Sequence, residues 1–365
     1  MKALVLAGGY ATRLRPITYV TPKLLFPLVG RPMIRWTLEK LRRFDVKEVI
    51  LAVNYLADSL RAAVGENYEG MRIQYSLEEV PLGTGGPIKL ASQRMKMNET
   101  FIVMNGDIVA DIDLEKMLNH HQKTRALATD ALTEVRDPSR FGSAMLDSTG
   151  RITRFIEKPE PKHAVSHFVN AGIYIIEPEV LKMIPPERNV SMEREIFPLL
   201  VRRRSLAGFN FQGYWFDIGS FSDYRRANFE LLRKEAHKGF LRAKNSRVAE
   251  SAVIKPPVYM GIRSNIGSQA TVGPCLLIGN NSNIQARTRI STSILFDSVT
   301  VSNGSHVSGA VIGSNVAMGK RVRIEPGTVI APNVQISDNV RVGRDTIIHP
   351  YKEIKKNVKS GANIM

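Results

Sequence analysis

The sequence lacks the marks of several large protein classes. Cys275 is the only cysteine in 365 residues, which excludes an intramolecular disulfide and indicates a reducing compartment. No apolar run is long enough to span a bilayer. The apolar run Ala3–Ala7 is too short for the core of a signal peptide, and glycines follow it. We therefore expect a cytoplasmic protein with no membrane partner, and its length allows two domains.

Negative charge is also scarce. Lys and Arg number 51 against 34 Asp and Glu, a net charge of +17. Such an excess is typical of nucleic-acid-binding proteins. However, the longest basic run is Arg202–Arg204, and no aromatic and basic platform stands out. The pattern disfavours nucleic acid as a partner. Some of these basic residues could instead bind an anionic substrate.

The first chemical signal lies near the start of the chain. The run Ala3–Ala7 predicts a short buried strand that enters Gly8 and Gly9, and the cations Arg13 and Lys23 follow. Glycine lets the backbone approach a ligand closely, and successive N–H groups in such a loop bind anions. Open α/β sheets bind nucleotides at the edge formed by the carboxyl ends of their strands, where such a loop would lie. An ordinary strand–loop turn with solvated arginines is the alternative.

The order of predicted elements gives the fold class. Continuous apolar runs at Val49–Val53 and Phe101–Met104 predict strands buried on both faces. Helical spacings occur at Ile34–Leu41 and Ile88–Met95. This alternation predicts an α/β domain over residues 1–240 with a Rossmann-like, doubly wound and mostly parallel sheet. The remaining elements are predicted as strands at Met71–Tyr75, Ala144–Leu146, Phe168–Ile176 and Ala207–Phe211 and as a helix at Ser222–Lys238.

From residue 241 to residue 365 the sequence repeats every six residues. A period of six fits neither a helix nor a flat sheet and is typical of a parallel β-helix, here of the left-handed hexapeptide-repeat kind. The step of 22 residues from Ile290 to Ile312 breaks the period and indicates an insertion or loop. Because such coils usually assemble subunits, we expect a homo-oligomer formed through this domain. The repeated aliphatic positions are Ile266, Val272, Ile278, Ile284, Ile290, Ile312, Met318, Ile324, Ile330, Ile336 and Val342.

The loop after the first strand, GG-x-x-TRL-x-P-x-T followed by Pro-Lys, resembles the signature loop of the sugar-1-phosphate nucleotidylyltransferases. It matches neither the Walker A pattern nor a GxGxxG fingerprint. Ala11 departs from the family, which usually has Gly there. The resemblance implies an enzyme that joins an NTP to a sugar-1-phosphate with Mg²⁺ and releases pyrophosphate. It implies catalytic roles for Arg13, Lys23 and Lys158 and nucleotide contacts from Leu6, Ala7, Gly8, Gly9 and Thr12.

Two carboxylates are candidates for the metal site. Asp107 ends Asn-Gly-Asp after the strand Phe101–Met104, which places it over the ligand edge of the sheet. Read alone, this tripeptide is equally a plain turn, and Asp217 in Gly213–Gly219 could cap the following helix. The family resemblance implies that both aspartates hold the metal, and Mg²⁺ prefers one or two carboxylates plus phosphate oxygens. The sequence by itself does not bring them together.

A third segment, Arg154–Pro159, reads either as a solvated strand end or as the Glu-Lys-Pro motif of the same family. The resemblance implies that Glu157 binds sugar hydroxyls and that Lys158 holds the sugar phosphate. It also implies that further residues bind the sugar phosphate, namely Asn105, Gly142 and Asn170.

The loop Glu78–Gly86 concerns the choice of base. Read alone, the loop could simply open a helix. The family resemblance implies that it lies against the nucleobase. Members that use uridine or thymidine nucleotides commonly have Gln as the first polar residue of this loop. A carboxylate only accepts hydrogen bonds, and guanine offers adjacent N1–H and N2–H₂ donors, so Glu78 favours GTP. The sequence leaves open whether Glu78 or the next residue, Glu79, faces the base. The nucleotide-binding candidates here are Glu78, Pro81, Gly83 and Thr84.

Within the family, three features resemble the mannose-1-phosphate guanylyltransferase branch: the EE-x-PLGT loop, the segment Ser191–Pro198 and the short C-terminal β-helix. They imply GTP and mannose-1-phosphate as substrates. Glucose-1-phosphate with UTP or dTTP, and a non-catalytic regulatory subunit, remain alternatives. The sequence decides neither the hexose nor the oligomer number, nor whether the β-helix is regulatory or uses His306 to transfer acetyl groups. His120 and His121 lie on a polar helix, and we expect them to face water.

Overall fold

The structure is a computed structural model that describes residues 1–236 and 239–365. The chain forms two compact units. The first comprises residues 1–10 and 34–217, and the second comprises residues 11–33 and 218–365. The boundary expected between residues 240 and 241 remains a prediction. In the described part of the chain, no helix combines the length and the apolar character of a membrane span.

The elements up to residue 236 alternate as the apolar runs predict. The strands are β1 Lys2–Leu6, β2 Pro27–Leu28, β3 Arg31–Pro32, β4 Glu48–Val53, β5 Asn67–Tyr68, β6 Met71–Leu77, β7 Phe101–Asn105, β8 Ile108–Ala110, β9 Ala128–Glu134, β10 Gly142–Leu146, β11 Ile152–Glu157, β12 Phe168–Ile176, β13 Leu206–Asn210 and β14 Trp215–Asp217. The helices are α1 Met33–Arg43, α2 Ala57–Val64, α3 Gly86–Arg94, α4 Leu114–Thr124, α5 Phe197–Arg202 and α6 Phe221–Glu235. The end expected for the last helix, at Lys238, lies outside the described residues.

The first unit is built on one large sheet. Its order is β11-β10-β12-β7-β1-β4-β6-β5, and β9 pairs with both β12 and β13. Strands β7, β1, β4 and β6 are parallel, and β12 turns the sheet antiparallel beside β7. Buried side chains of strands and helices, such as Leu4, Ile88 and Phe197, share one hydrophobic cluster. The Rossmann-like fold class is therefore confirmed.

The repeat region forms a three-sided parallel β-helix. Three all-parallel sheets of eight, seven and six short strands run along it. In most of these strands one aliphatic residue points inward, and these residues make one continuous core. This confirms the left-handed hexapeptide-repeat fold. The strands are β15 Phe240–Arg242, β16 Arg247–Val248, β17 Val253–Ile254, β18 Val258–Met260, β19 Asn265–Ile266, β20 Thr271–Val272, β21 Leu276–Ile278, β22 Asn283–Ile284, β23 Arg289–Ser291, β24 Ile294–Leu295, β25 Thr300–Val301, β26 His306–Ser308, β27 Val311–Ile312, β28 Ala317–Met318, β29 Arg323–Ile324, β30 Val329–Ile330, β31 Gln335–Ile336, β32 Arg341–Val342, β33 Ile347–Ile348, β34 Glu353–Ile354 and β35 Asn363–Ile364.

The insertion predicted between Ile290 and Ile312 is wrong. The coil continues without interruption through three further buried aliphatic residues, Leu295, Val301 and Val307. The inward positions there follow at steps of five, six, six and five residues. Two sides of the coil are thus one residue shorter than usual, which shifts the count without opening a loop.

Residues 11–33 belong to the same unit as the β-helix. Phe26 is fully buried, with its ring edge-on to Tyr224 of α6 at a centroid distance of 5.5 Å and to Phe296 of the coil at 5.3 Å. The Val29 N–H donates to the side-chain oxygen of Asn228 at 2.9 Å. These contacts give the segment after the glycine loop a fixed apolar base.

The expectation that His120 and His121 face water is wrong. His121 is buried, with Nδ1 2.8 Å from Oγ1 of Thr129 and Nε2 2.8 Å from Oε1 of Glu177. His120 is half-buried, with its ring 5.7 Å from that of Phe209. Both side chains pack where α4 covers the sheet, so they are structural residues of the first unit.

Candidate active site

Four parallel strands end together at one edge of the first unit. The Ala7 N–H donates to the Ala52 carbonyl at 2.8 Å, and the Gly106 N–H donates to the Leu6 carbonyl at 2.9 Å. On the next strand, the Glu78 N–H donates to the Val53 carbonyl at 2.8 Å. These bonds align the loops that follow β7, β1, β4 and β6. Open α/β sheets bind ligands at this edge.

Gly8 and Glu78 meet at this edge. A Cβ at Gly8 would lie only 2.5 Å from Oε1 of Glu78, so a side chain at position 8 would displace the carboxylate from this position. Glu78 is 5% exposed, and Oε2 accepts a bond from the Leu82 N–H at 3.3 Å. Burial raises the pKa of the Glu78 carboxyl, although the Leu82 bond opposes the shift. Glu79 is exposed, which supports Glu78 as the residue facing the ligand edge.

The rest of the Glu78–Gly86 loop is fixed onto a neighbouring segment. The Gly85 N–H donates to the Val190 carbonyl at 2.7 Å, and the Val190 N–H donates to the Leu82 carbonyl at 3.0 Å. Gly83 has a φ of +78°, and a Cβ there would lie 2.5 Å from the Val190 oxygen. Thr84 Oγ1 donates to Oε2 of Glu193 at 2.6 Å. The loop therefore has a defined conformation in which a glycine is required at position 83.

Strand pairing brings the two candidate metal ligands together. In the antiparallel pair of β8 with β14, Asp217 lies opposite Ile108, and Asp107 precedes Ile108 in the chain. Opposite residues in such a pair have Cα atoms about 5 Å apart, so Asp107 and Asp217 lie at the same end of the ribbon. No group of three or more His, Cys, Asp or Glu side chains suited to a metal occurs among the described residues. Two carboxylates suit an ion that takes its other ligands from phosphate and water.

The residues expected to bind the hexose form two close contacts. A Cβ at Gly172 would lie 2.6 Å from Nδ2 of Asn105, and a Cβ at Gly142 would lie 2.9 Å from Oε2 of Glu157. The buried Oδ1 of Asn105 has no hydrogen-bond partner within the described residues. Burial, followed by the charge of Glu193, raises the pKa of Glu157. Gly172 thus leaves room for the amide of Asn105, and Gly142 leaves room for the Phe155 ring as well as for Glu157.

Lys158 has an unusual backbone. Its φ is +49°, in the left-handed region that costs energy for a residue with a Cβ. The Lys158 N–H donates to the Phe141 carbonyl at 2.9 Å and holds this conformation. The ammonium group lies 3.6 Å from Oε1 of Glu157, and the side chain is 58% exposed. A strained, exposed cation beside the sugar candidates supports a ligand-binding role.

Arg13 and Lys23 lie in the second unit. Arg13 is exposed within the single 3₁₀ turn Thr12–Leu14, and a Cβ at Gly219 would lie 2.9 Å from its Nη2 atom. Ala11, which precedes the turn, has φ +46° and ψ +46°. Its carbonyl accepts bonds from Leu14 N at 2.9 Å and from the Thr18 hydroxyl at 3.1 Å. The methyl group at position 11 is therefore accommodated in a left-handed conformation that glycine would adopt at lower cost.

Lys23 begins a second short turn in the same unit. It opens the 3₁₀ helix Lys23–Leu25 directly after Pro22, whose fixed φ suits the residue before a turn. The Phe26 N–H donates to the Lys23 carbonyl at 3.0 Å, so the buried Phe26 ring anchors this turn. Lys23 itself is half-buried. The structure thus gives this lysine a rigid support.

Sequence reasoning missed two polar residues at this edge. Asn54 directly follows β4, and its Cβ lies 3.4 Å from the position that a Cβ at Gly8 would occupy. Its buried Nδ2 has no hydrogen-bond partner in the described ranges. Its signal was its place directly after a buried strand. Glu193 is almost fully buried within the π-helical turn Met192–Ile196. Its segment, Ser191–Pro198, stood out only as a feature of one branch of the family, and nothing local in the sequence marks Glu193 as a buried charge.

The fold and these residues define a nucleotidyl transferase, and the chain belongs to that family. The sequence model of the nucleotidyl transferase family matches residues 2–234. A second model, described as the GMPPB C-terminal domain, matches residues 243–364. The resemblance inferred from the glycine loop is therefore confirmed.

Relatives with assigned names agree. A mannose-1-phosphate guanyltransferase of Aspergillus fumigatus is 38% identical over 331 residues, covering 89% of each chain. The enzyme of the same name from Candida albicans is 37% identical, again over 89% of each chain. Among solved structures, HddC from Yersinia pseudotuberculosis complexed with GMP-PN aligns with a TM-score of 0.53 at 27% identity. That alignment covers 63% of this chain and 99% of HddC. The chain is thus a nucleotidyltransferase enzyme.

Proposed function

We propose that this enzyme transfers GMP from GTP to mannose-1-phosphate and releases pyrophosphate and GDP-mannose. The observation that carries the choice of nucleotide is the carboxylate of Glu78, buried against Gly8 at the ligand edge of the sheet. The names of the two fungal relatives support the choice of sugar.

The base is recognised by complementary hydrogen bonding. An ionised carboxylate offers acceptors only, whereas guanine presents N1–H and N2–H₂ side by side. Uracil and thymine present one N–H between two carbonyl oxygens, and a carboxylate would repel those oxygens. The loop residues Pro81, Gly83 and Thr84 hold the base beside Glu78.

The reaction needs no general base, because the attacking oxygen of the sugar-1-phosphate is already anionic. That oxygen attacks the α-phosphorus of GTP in line, the bond to the bridging oxygen breaks, and pyrophosphate leaves with its electron pair. The obstacle is repulsion between two polyanions. Catalysis is therefore positioning and electrostatic stabilisation.

Positive groups of this chain supply that stabilisation. Backbone N–H groups of the loop that contains Gly8, Gly9 and Thr12 cradle the phosphates, and Leu6 and Ala7 bring the loop to the edge of the sheet. Arg13 stabilises the triphosphate and the departing pyrophosphate, and Lys23 contacts the α-phosphate. Lys158 holds the phosphate of the sugar.

Enzymes of this family generally act with a divalent metal. We assign Asp107 and Asp217 as the residues that would hold Mg²⁺. The register of β8 with β14 supports this assignment, because Asp217 lies opposite Ile108, the residue after Asp107. Carboxylate oxygens are ligands that Mg²⁺ prefers. When bound, the ion neutralises phosphate charge. The carboxylates themselves fix where that charge is neutralised.

The hexose lies among Asn105, Gly142, Glu157 and Asn170. The unpartnered Oδ1 of Asn105 supports this placement, because a buried acceptor is costly unless a hydroxyl donates to it. We further propose that subunits associate through the β-helix. The cytoplasm is the proposed location, since it holds GTP and sugar phosphates and suits a chain with one cysteine.

A matrix of four nucleoside triphosphates against several sugar-1-phosphates, assayed by pyrophosphate release, tests the function. The proposal expects the highest kcat/KM for GTP with mannose-1-phosphate. Preference for UTP or dTTP with glucose-1-phosphate would assign the enzyme to the alternative substrate class. No release with any pair would instead favour a non-catalytic regulatory subunit.

A further inference from the structure

Glu193 lies between the nucleotide loop and the residues proposed for the hexose. Its side chain is 9% exposed and belongs to the π-helical turn Met192–Ile196. Such turns are rare and frequently occur at functional sites. A buried carboxylate needs donors, and the identity of these donors is informative.

One oxygen of Glu193 holds the nucleotide loop. Oε2 accepts from the Thr84 hydroxyl at 2.6 Å and from the Ser191 hydroxyl at 2.7 Å. Thr84 Oγ1 in turn accepts from the Met192 N–H at 2.9 Å. The hydroxyl of Thr84 thus donates one bond to this segment and accepts one from it, which fixes the middle of the loop.

The other oxygen holds the hexose side. Oε1 accepts from the Tyr174 hydroxyl at 3.2 Å, and that hydroxyl accepts from Nδ2 of Asn170 at 2.9 Å. Oδ1 of Asn170 accepts from the Gly172 N–H at 2.6 Å. The amide of Asn170 is therefore held in one orientation. One N–H and one lone pair of this amide remain for a ligand.

The strand around Asn170 is irregular where this chain of bonds runs. Asn170 pairs with Leu132, and Tyr174 pairs with Asp130. The step between the two pairs is thus four residues along β12 but only two residues along β9. Irregularities of this kind re-aim side chains and are common next to active sites. The irregularity places Asn170 and Tyr174 in the same hydrogen-bonded chain.

Glu193 differs from the neighbouring Asp130 in its hydrogen-bond partners. Neither oxygen of Asp130, which is fully buried, has a hydrogen-bond partner in the described part of the chain. Burial, followed by the charges of Glu193 and Glu157, raises the pKa of Asp130, which favours its neutral form. By contrast, three hydroxyl groups donate to Glu193, those of Thr84, Ser191 and Tyr174.

We propose that Glu193 is a positioning residue shared by the two substrate subsites. It fixes the nucleotide loop through Thr84 and the hexose-binding amide of Asn170 through Tyr174. This inference rests on the proposed function, since it assigns the loop to GTP and Asn170 to the sugar phosphate.

Three variants separate the two branches. Thr84→Val removes the loop branch and should raise the KM for GTP about tenfold, the order expected for losing one hydrogen bond to a charged group. Tyr174→Phe removes the sugar branch and should raise the KM for mannose-1-phosphate by about the same factor. Glu193→Gln keeps the size of the side chain but loses one acceptor, and it should raise both KM values. Each single branch variant leaves the other KM at the wild-type value.

Matched controls exist elsewhere in the first unit. The Thr100 hydroxyl donates to Glu177 at 2.9 Å, and the Tyr75 hydroxyl donates to the Gly65 carbonyl at 2.6 Å. Thr100→Val, Glu177→Gln and Tyr75→Phe repeat the three chemical changes at bonds that involve no proposed substrate contact. They should lower the melting temperature without changing either KM.

Combined variants test whether the branches meet at Glu193. Adding Thr84→Val to Glu193→Gln should raise the KM for GTP no further, because the shared bond is already weakened. The proposal is overturned if Glu193→Gln changes only the melting temperature, raises only one KM, or adds fully to Thr84→Val. If Glu193→Gln does not fold, the two branch variants decide, and the proposal fails when both raise the same KM or neither raises any. A wild type inactive with GTP and mannose-1-phosphate would refute the proposed function instead, and the same variants would then be compared on the pair it does use.

Discussion

The carboxylate of Glu78 lies so close to the backbone of Gly8 that a Cβ at Gly8 would come within 2.5 Å of Oε1. The two residues belong to loops that follow different strands, β6 and β1. Their contact joins the loop proposed to read the base to the loop proposed to bind the phosphates. A side chain at position 8 would therefore displace the proposed base reader as well as crowd the proposed phosphate site.

Base preference should depend on the charge of Glu78. Glu78→Gln replaces an acceptor with a donor and an acceptor, which suits uracil and opposes guanine. We expect the ratio of kcat/KM for GTP over UTP to fall by about tenfold or more, the scale of one hydrogen bond to a charged group. Glu79→Gln, the same change at the exposed neighbour, should leave the ratio unchanged. An unaltered ratio in Glu78→Gln would remove Glu78 from base recognition.

The pH dependence of GTP binding follows from burial of the same group. Burial raises the pKa of Glu78, and only the ionised form accepts both guanine donors. The KM for GTP should therefore rise as pH falls through this raised pKa, at a higher pH than for an ordinary glutamate. Phosphate groups of the nucleotide also titrate, so the profile is compared with that of Glu78→Gln. Parallel profiles for the two proteins would contradict the assignment.

Arg13 should act through its guanidinium, and Gly219 should act by admitting it. Arg13→Ala should lower kcat at least about 100-fold, the effect of removing one preorganised charge donor. In Gly219→Ala the new methyl group would lie 2.9 Å from Nη2, so the guanidinium must shift and kcat should also fall, though less. Initial-rate kinetics with saturating substrates measure both. Near-normal turnover in Arg13→Ala would exclude the residue from the mechanism.

Metal dependence should follow Asp107, which directly precedes β8, and Asp217, which ends β14. Asp107→Asn and Asp217→Asn should each weaken the binding of Mn²⁺ with nucleotide, measured by electron paramagnetic resonance, and abolish Mg²⁺-dependent turnover. Asp113→Asn is the control, because that carboxylate caps α4 through the Lys116 N–H at 3.0 Å. It should change stability and leave metal binding unaltered. Unchanged Mn²⁺ affinity in both site variants would place the metal elsewhere.

Much of the first unit could be predicted because its central strands are continuous apolar runs. The runs at Val49–Val53 and Phe101–Met104 became β4 and β7, which lie on either side of β1. In the antiparallel part, β12 was predicted with its observed bounds, Phe168–Ile176, but the pairing of β11 could not be predicted in the same way. The residues 152–157 of β11 are mostly half-exposed or exposed and mix polar with apolar residues, so their pairing is decided by tertiary register. The period of six failed between Ile290 and Ile312 because two sides of the coil are each one residue shorter, which leaves the coil intact but shifts the count.

The candidate site, too, could be predicted only in part from the sequence. Gly8, Asp107 and Lys158 lie in contiguous motifs, so the sequence could indicate them. The proximity of Asp107 to Asp217 comes from the pairing of β8 with β14, which no local pattern predicts. Glu193 acts through hydroxyl groups far away in sequence, such as that of Thr84, and only the folded chain brings them together.

The most direct test of guanine recognition is a crystal structure of the enzyme with GTP and Mg²⁺. The account predicts N1 and N2 of guanine within hydrogen-bond distance of the Glu78 carboxylate, with the α-phosphate beside the metal on Asp107. A triphosphate bound away from Asp107, or a guanine edge that faces solvent with Glu78 still against Gly8, would contradict it.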